Sequence, residues 1–177
     1  MHPDILNISY SEDTISRRVA ELGAALSGDY AGKNPVFLGI LKGSFVFMAD
    51  LIRACAFPLD VQFLRASSYG AAAVSSGVVD VQLNADVRGR HVVIVEDILD
   101  TGITLKRIRE LLAEQDPLSV KICAFLDKPA RRETDVLCDY TGFTCEPDFF
   151  VGYGLDYNER YRNLPYIGVL KPEIYSN

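Results

Sequence analysis

The chain has 177 residues, of which 49% are hydrophobic and 24% are charged, and its formal net charge is −6 at pH 7. This length suits one domain with its own core, so we treat residues 1–177 as a single domain. The negative charge argues against nucleic acid or an anionic membrane as the main partner. The sequence has no apolar run long enough to span a membrane and no N-terminal signal peptide, so we expect a cytoplasmic protein without a membrane partner.

The cysteine and histidine content argues against a zinc site. The chain has four cysteines and two histidines, and no two cysteines form a Cys-x-x-Cys pair. A chain of this size without a secretion signal is expected to keep its thiols reduced. We therefore predict that the cysteines are free: Cys55, Cys123, Cys138 and Cys145.

The N-terminal third is predicted to hold two helices separated by an apolar strand. Apolar residues recur at helical spacing over residues 11–28, where Ser27 and Gly28 mark the end of the first helix. Residues 36–41 form the apolar strand. Ser44 is expected to cap a second helix that runs to about residue 55.

The remaining chain alternates strand and helix patterns before it becomes irregular. Strands are predicted at residues 59–63, 79–83, 92–95 and 120–126, with an Ala/Ser/Gly-rich loop at 66–77 and a helix beginning just before Leu105. Beyond Pro129 only short strands are expected, near residues 149–152 and 167–170. The alternation predicts an α/β fold with a mostly parallel sheet flanked by helices.

The most informative segment begins with a β-branched run and ends at the start of a helix. Residues 92–95 are typical of a strand buried inside a parallel sheet. The loop that follows lies at the carboxyl end of the sheet, where such folds bind ligands. Thr101 and Thr104 offer hydroxyl donors, Gly102 allows close backbone approach, and the helix N-terminus attracts an anion.

Three carboxylates complete this segment. Glu96 and Asp97 would repel a phosphate placed on them, but they are good acceptors for ribose hydroxyls and good ligands for Mg²⁺. The loop around Asp100 has no lysine or arginine and does not match a Walker A loop. The pattern favours a ribose phosphate over the alternative, in which solvated acids end a strand before a capped helix.

This segment resembles the 5-phosphoribosyl-1-diphosphate signature of the type I phosphoribosyltransferases. Four further segments, at residues 41–44, 67–70, 126–129 and 149–157, make the chain similar to the bacterial hypoxanthine-guanine (6-oxopurine) branch. The resemblance implies transfer of a phosphoribosyl group to hypoxanthine or guanine, which gives IMP or GMP and diphosphate. It also implies Mg²⁺ as cofactor, a small hood built from the terminal segments, and a homo-oligomer, either a dimer or a tetramer.

The resemblance also implies roles for the signature residues. Asp100 would be catalytic and manage the proton on N7 of the purine, while Glu96 and Asp97 would hold the ribose and the metal. The loop would bind the 5-phosphate through Asp100, Thr101, Gly102, Ile103 and Thr104. Lys42 and Gly43 would bind diphosphate, although by spacing alone Lys42 is an ordinary lysine in a turn.

The base would be recognised by residues far along the chain. Lys128 would donate to O6 of the purine, Phe149 would stack on the ring, and the backbone of Phe150 would contact the base edge. Without the resemblance, Lys128 would be interpreted as a surface lysine and the aromatic pair as core.

The remaining implied contacts involve the metal, the diphosphate and a closing loop. Asp156 would bind Mg²⁺ and Arg162 would contact diphosphate, whereas Arg131 and Arg132 are interpreted as a solvated pair. Ser68 and Tyr69 would begin the loop that closes over the reacting centre. Residues 71–83 lack the basic residue that relatives often carry there.

Two other functions stay open at this stage. A transferase for another base is one, although Lys128 and Phe149 argue against uracil, orotate and adenine more strongly than against xanthine. A non-catalytic sensor of the sugar diphosphate that binds RNA or DNA is the other, and the net charge of −6 disfavours it. The sequence does not rank hypoxanthine, guanine and xanthine.

Overall fold

The computed structural model describes residues 1–68, 79–82 and 86–176. The elements in chain order are β1 (Ile5–Tyr10), α1 (Glu12–Tyr30), β2 (Val36–Leu41), α2 (Phe45–Ala54), β3 (Asp60–Ser68), β4 (Val79–Gln82), β5 (His91–Leu99), α3 (Ile103–Ala113), β6 (Ser119–Asp127), a 3₁₀ turn (Pro129–Arg131), β7 (Tyr140–Thr144), β8 (Phe150–Val151), β9 (Ile167–Leu170) and α4 (Pro172–Tyr175).

A six-stranded sheet in the order β4-β3-β2-β5-β6-β7 forms the centre of the fold. Five strands are parallel, and β4 pairs antiparallel with β3 at one edge. Strands β2 and β5 are apolar throughout their centres because helices cover both faces of the sheet. The α/β prediction is therefore confirmed.

Two apolar cores lie on opposite faces of this sheet. Helices α1 and α2 bury Leu22 and Phe47 against Phe125 on one face, whereas α3 buries Ile108 and Leu112 on the other. The same layers bring the carboxyl ends of β2, β3, β5 and β6 to one edge. The loops that carry the predicted functional residues begin at this edge.

A second, antiparallel sheet in the order β1-β9-β8 is built from both terminal segments. Its small core includes Ile5, Val151 and Leu170, all buried. This is the hood that the resemblance implies, and the structure confirms it. No helix within the described ranges is long and apolar enough to cross a membrane, and all four cysteines are free thiols.

Several local predictions were wrong. Strand β5 continues to Leu99, so Glu96 and Asp97 lie inside the strand rather than at its end. Strand β3 includes residues 66–68 of the predicted loop, and the rest of that loop lies outside the described residues. Ser44 precedes α2 but does not cap it, because its hydroxyl donates back to the Ile40 carbonyl at 2.6 Å. Strands β1 and β7 and helix α4 were not predicted.

Candidate active site

The signature segment forms one wall of a cavity of about 240 Å³ at the carboxyl edge of the sheet. We call it the loop cavity. Strands β2 and β3 contribute Ile40, Leu41 and Ala66 to it. Its polar lining consists of the three signature carboxylates and the loop that follows them: Glu96, Asp97, Asp100, Thr101, Gly102 and Thr104.

The loop cavity ends at the N-terminus of a helix. Gly102 has a φ of +84° directly before α3, and as the N-cap residue it has no side chain that could cap the helix. The first N–H groups of α3 therefore suit an anion. Ile103 donates its backbone N–H to the Thr101 hydroxyl at 3.4 Å, but its side chain is exposed and does not line the cavity.

A basic pair that follows β6 supports this loop. Arg132 pairs with Asp127 and donates to the carbonyls of Asp100 at 2.9 Å and Leu99 at 3.3 Å. Its side chain is only 13% exposed, so the interpretation of Arg131 and Arg132 as a solvated pair was wrong for Arg132, whereas the side chain of Arg131 is 53% exposed. Arg131 places its Nε 3.0 Å from Oδ1 of Asp100.

Asp100 has an unused hydrogen-bond acceptor. Its Oδ1 is buried, and no donor of the described part of the chain is aligned for a hydrogen bond to it, although Arg131 lies within ion-pair distance. Buried acceptors without a donor are rare in folded proteins, so this oxygen is suited to a donor supplied by a ligand.

A second cavity, of about 460 Å³, lies between the signature strand and the hood. We call it the hood cavity. It shares Asp97, Ile98 and Asp100 with the loop cavity, so the two meet at the signature segment. Its other functional candidates are Lys128, Phe149, Phe150, Asp156 and Tyr175. A larger groove of about 790 Å³ between α1 and α2 contains none of the three signature carboxylates.

Lys128 is a buried cation rather than a surface lysine, with 7% of the residue exposed. Its Nζ donates to the Asp148 carbonyl at 2.7 Å and lies 5.3 Å from the centre of the Phe150 ring. Burial lowers the pKa of Lys128, while the charge of Asp100 opposes that effect. The ammonium lines the hood cavity with hydrogen-bonding capacity left over.

Two tyrosines hold the Phe149 ring. Tyr175 of α4 stacks on it at 4.7 Å and 21°, and Tyr157 contacts its edge at 5.6 Å and 86°. Tyr175 also lines the hood cavity, and sequence reasoning missed it because the four residues of α4 show no periodicity. The neighbouring Phe150 is buried in β8 and pairs with Val169.

Lys42 and Gly43 lie in the turn between β2 and α2. The Leu41–Lys42 peptide bond is cis. Lys42 Nζ lies 3.0 Å from Oε1 of Glu159. Gly43 lies so close to the signature strand that a Cβ atom there would come 1.6 Å from Oδ2 of Asp97.

We expect Gly43→Ala to reduce activity much more than stability. The added methyl group would displace the Asp97 carboxylate, which can rotate away from it, so the fold should survive while the carboxylate leaves its place in both cavities. The turnover number and the melting temperature of the variant should be measured together. Gly28→Ala is the control, because a Cβ there meets nothing within 4 Å. Full activity of Gly43→Ala would contradict the close packing.

Arg162 connects the hood to the site. Its Nη2 lies 2.8 Å from Oδ1 of Asp156, and its Nη1 donates to the Gly154 carbonyl at 2.8 Å. Its Nε is buried without a hydrogen-bond partner among the described residues. Gly154 packs directly on the Lys42 turn, since a Cβ there would lie 2.2 Å from the carbonyl oxygen of Gly43.

The two adjacent carboxylates on β5 are electrostatically strained. Burial, followed by the charge of Asp97, raises the pKa of Glu96 well above its ordinary value of 4.5. Two like charges at a site of this kind favour a cation or the hydroxyl donors of a ligand. Among the described residues, however, no group of three or more acidic, cysteine or histidine side chains forms a metal cage.

We expect Glu96→Gln to stabilise the protein at neutral pH while lowering its activity. A carboxyl whose pKa is raised on folding stabilises the fold below its ordinary pKa of 4.5, and that stability is lost as the pH rises through the raised value. The neutral amide of the variant avoids this loss of stability. Each 1 kcal/mol gained in the free energy of unfolding should raise the melting temperature by about 2–4 °C.

Melting temperatures measured from about pH 4 to pH 8 would test this expectation. The difference between Glu96→Gln and the parent should vanish at the acidic end. Glu110→Gln, which removes an exposed carboxylate 3.5 Å from Arg107, is the control and should show no such trend. A Glu96→Gln variant that melts at a lower temperature than the parent at neutral pH would show that the buried charge of Glu96 beside Asp97 does not destabilise the fold.

The loop predicted to close the site is only partly described. Ser68 is the last residue of β3, the strand that pairs with β2 at the carboxyl edge of the sheet. Tyr69 lies outside the described residues, so the predicted roles of both remain predictions.

Comparison with known proteins identifies the family. The phosphoribosyl transferase domain family matches residues 10–158. The hypoxanthine-guanine phosphoribosyltransferase of Streptococcus pneumoniae is 51% identical over 98% of both chains, and that of Bacillus subtilis is 47% identical over 100% of this chain and 99% of the relative. The crystal structure of a hypoxanthine phosphoribosyltransferase from Staphylococcus aureus superimposes with a TM-score of 0.95 at 47% identity, covering 100% of this chain and 97% of that one. The chain therefore belongs to the phosphoribosyltransferase family, within its hypoxanthine-guanine branch.

Proposed function

We propose that the protein transfers the phosphoribosyl group of 5-phosphoribosyl-1-diphosphate to hypoxanthine or guanine, giving IMP or GMP and diphosphate in purine salvage. The observation that carries the proposal is the meeting of two cavities at Asp100. One is formed by a loop at a helix N-terminus, suited to a phosphate, and the other is an aromatic and cationic cavity, suited to an oxopurine. The two substrates would meet beside the Asp100 oxygen that receives no hydrogen bond from the described residues.

The sugar substrate would be held at three points. The loop from Asp100 to Thr104 takes the 5-phosphate through its backbone N–H groups and hydroxyls. Glu96 and Asp97 accept the ribose hydroxyls. Lys42 and Arg162 neutralise the diphosphate, while Gly43 allows it to approach the backbone.

The purine would lie in the hood cavity. Phe149 stacks on the ring, Lys128 donates to O6, and the backbone at Phe150 contacts the base edge. Ser68 and Tyr69 would begin the segment that excludes water, which competes with the purine for the anomeric carbon.

In the reaction, N9 of the purine donates its electron pair to C1 of the ribose, and the C1–O bond to diphosphate breaks with its electrons on the leaving oxygen. The proton on N7 passes to the open oxygen of Asp100. Bond breaking leads, so positive charge develops on the sugar, and positioning between the two cavities supplies much of the acceleration.

The carboxylates suit Mg²⁺, although they form no cage of their own. Mg²⁺ commonly takes one or two carboxylates and completes its shell with water and substrate phosphates. Glu96, Asp97 and Asp156 would hold it, directly or through water. When bound, the ion neutralises charge on the leaving diphosphate.

Two properties of the whole enzyme belong to the same proposal. The protein would form a homo-oligomer, either a dimer or a tetramer, as the resemblance implies. A cytoplasmic location agrees with the chemistry of the sugar substrate, because a highly charged diphosphate crosses apolar membranes poorly.

A spectrophotometric assay tests the proposal. The protein is mixed with 5-phosphoribosyl-1-diphosphate, Mg²⁺ and one base at a time: hypoxanthine, guanine, xanthine or adenine. We expect turnover of hypoxanthine or guanine that stops when the metal is chelated, and the assay also ranks the bases. Folded protein that turns over none of the bases would contradict the proposal.

A further inference from the structure

Glu159 forms a contact that the proposed reaction does not use. Its two carboxylate oxygens contact two different cations: Oε1 lies 3.0 Å from Lys42 Nζ, and Oε2 lies 3.4 Å from Arg162 Nη2. These are the two side chains that the proposed function assigns to the diphosphate. An anionic group that bridges both of them mimics the charge and reach of a phosphate.

A hydrogen bond holds the backbone of Glu159, whereas its exposed side chain can rotate away from Lys42 and Arg162. The N–H of Glu159 donates to Oδ2 of Asp156 at 2.9 Å, and Asn158 and Glu159 have φ values of +51° and +61° in this turn. The side chains of Lys42 and Glu159 are 60% and 64% exposed. Exposed ion pairs contribute little free energy, so a stronger anion can displace this one.

The Glu159 carboxylate and a diphosphate would repel each other if both contacted Lys42 and Arg162. The hydrogen bond from Lys42 lowers the pKa of Glu159, so its carboxylate is charged at neutral pH. A diphosphate that approached Lys42 would meet this negative charge. Arg162 still has a buried Nε without a partner among the described residues, so Glu159 does not exhaust its capacity for an anion.

We propose that the Glu159 carboxylate occupies the diphosphate position in the free protein and competes with diphosphate for Lys42 and Arg162. The inference rests on the proposed function, because it takes these two cations as diphosphate ligands. Glu159 then weakens the binding of 5-phosphoribosyl-1-diphosphate, and by the same competition it promotes release of the diphosphate product.

Calorimetric titration of the whole protein with inorganic pyrophosphate in the presence of Mg²⁺ tests this role. Glu159→Gln removes the charge and keeps the shape, so we expect its Kd for pyrophosphate to fall about two- to fivefold, as the loss of exposed ion pairs suggests. The KM for 5-phosphoribosyl-1-diphosphate should fall similarly, while the KM for hypoxanthine should stay unchanged.

Glu21→Gln is the matched control. Glu21 is 62% exposed and pairs with Arg18 on α1, outside both cavities, so this variant should bind pyrophosphate like the parent. An unchanged or raised Kd for Glu159→Gln would overturn the inference. If Glu159 only positioned Lys42, it would help the parent protein to bind pyrophosphate, and its removal would raise the Kd. Equal tightening in Glu21→Gln would also overturn it, because the effect would then be one of net charge.

Lys42→Met separates this inference from the proposed function. A Kd for pyrophosphate raised about tenfold or more would support the assignment of Lys42 to diphosphate. With that result in hand, failure of Glu159→Gln would count against the competition alone. A Lys42→Met variant that binds pyrophosphate like the parent would overturn both the assignment and the competition.

Discussion

Asp100→Asn should lower kcat by about 10²- to 10⁴-fold, the range expected when a general acid–base group is removed. Asparagine has the same shape, but its amide cannot take the proton from N7, and an amide nitrogen turned toward N7–H would place two donors against each other. The oxygen concerned is buried and receives no aligned hydrogen bond, so in the free protein the substitution loses only the ion pair with the half-exposed side chain of Arg131, which contributes little free energy. The melting temperature should therefore change little.

Kinetics and binding together distinguish a chemical role from a structural one. We expect pyrophosphate and 5-phosphoribosyl-1-diphosphate to bind Asp100→Asn almost as tightly as the parent, because the loop that holds the phosphate uses mainly backbone N–H groups. Asp135→Asn is the control, since Asp135 is 89% exposed and lies 3.8 Å from Lys106. Full activity of Asp100→Asn would remove Asp100 from its assigned role.

The part of the site that the sequence predicts well is local. The strand, the loop and the start of α3 follow one another within 15 residues, and each has its own chemical signal: β-branched residues, carboxylates, and glycine flanked by hydroxyls. The position of this loop at the carboxyl end of the sheet then follows from the parallel connection. The polar residues that line the loop cavity, Asp100 among them, were predicted in this way, whereas its apolar lining was not.

The part that was missed depends on contacts between distant residues. Arg132 holds the loop by donating to carbonyl oxygens that no side-chain pattern reveals. Glu159 reaches Lys42 only because Gly154 packs on Gly43 and brings the hood onto that turn. Strand β1 is an edge strand whose exposed face gives a weak apolar pattern, and its partner β9 lies at the other end of the chain.

The end of β5 shows how tertiary pairing overrides local patterns. The sequence predicts a buried strand over residues 92–95 that ends in Glu96 and Asp97, two residues of low strand propensity. In the structure β5 stays paired with β6, with Glu96 opposite Ala124 and Leu99 opposite Asp127. The partner strand therefore decides where β5 ends, and it places both carboxylates inside a paired strand, on rigid backbone.

Lys128→Met should lower kcat/KM for hypoxanthine and guanine by about 10- to 100-fold, which corresponds to the 1.5–3 kcal/mol that a charge-assisted hydrogen bond contributes. Methionine keeps an unbranched side chain of nearly the same length, but it lacks the Nζ that lies over the Phe150 ring and cannot donate to O6. The KM for 5-phosphoribosyl-1-diphosphate should stay close to that of the parent, because Lys128 lines the hood cavity and not the loop cavity.

Selectivity provides the sharper measurement. A cation opposite position 6 favours a carbonyl acceptor and rejects the amino group of adenine, so a site without it should discriminate less between hypoxanthine and adenine. Lys121→Met is the matched control on the same strand, where the ammonium is 48% exposed and pairs with Asp139 at 2.7 Å. If Lys128→Met lost activity equally toward every base with its selectivity intact, the ammonium would act by supporting the Asp148 carbonyl, to which it donates at 2.7 Å, and not by recognising the purine oxygen.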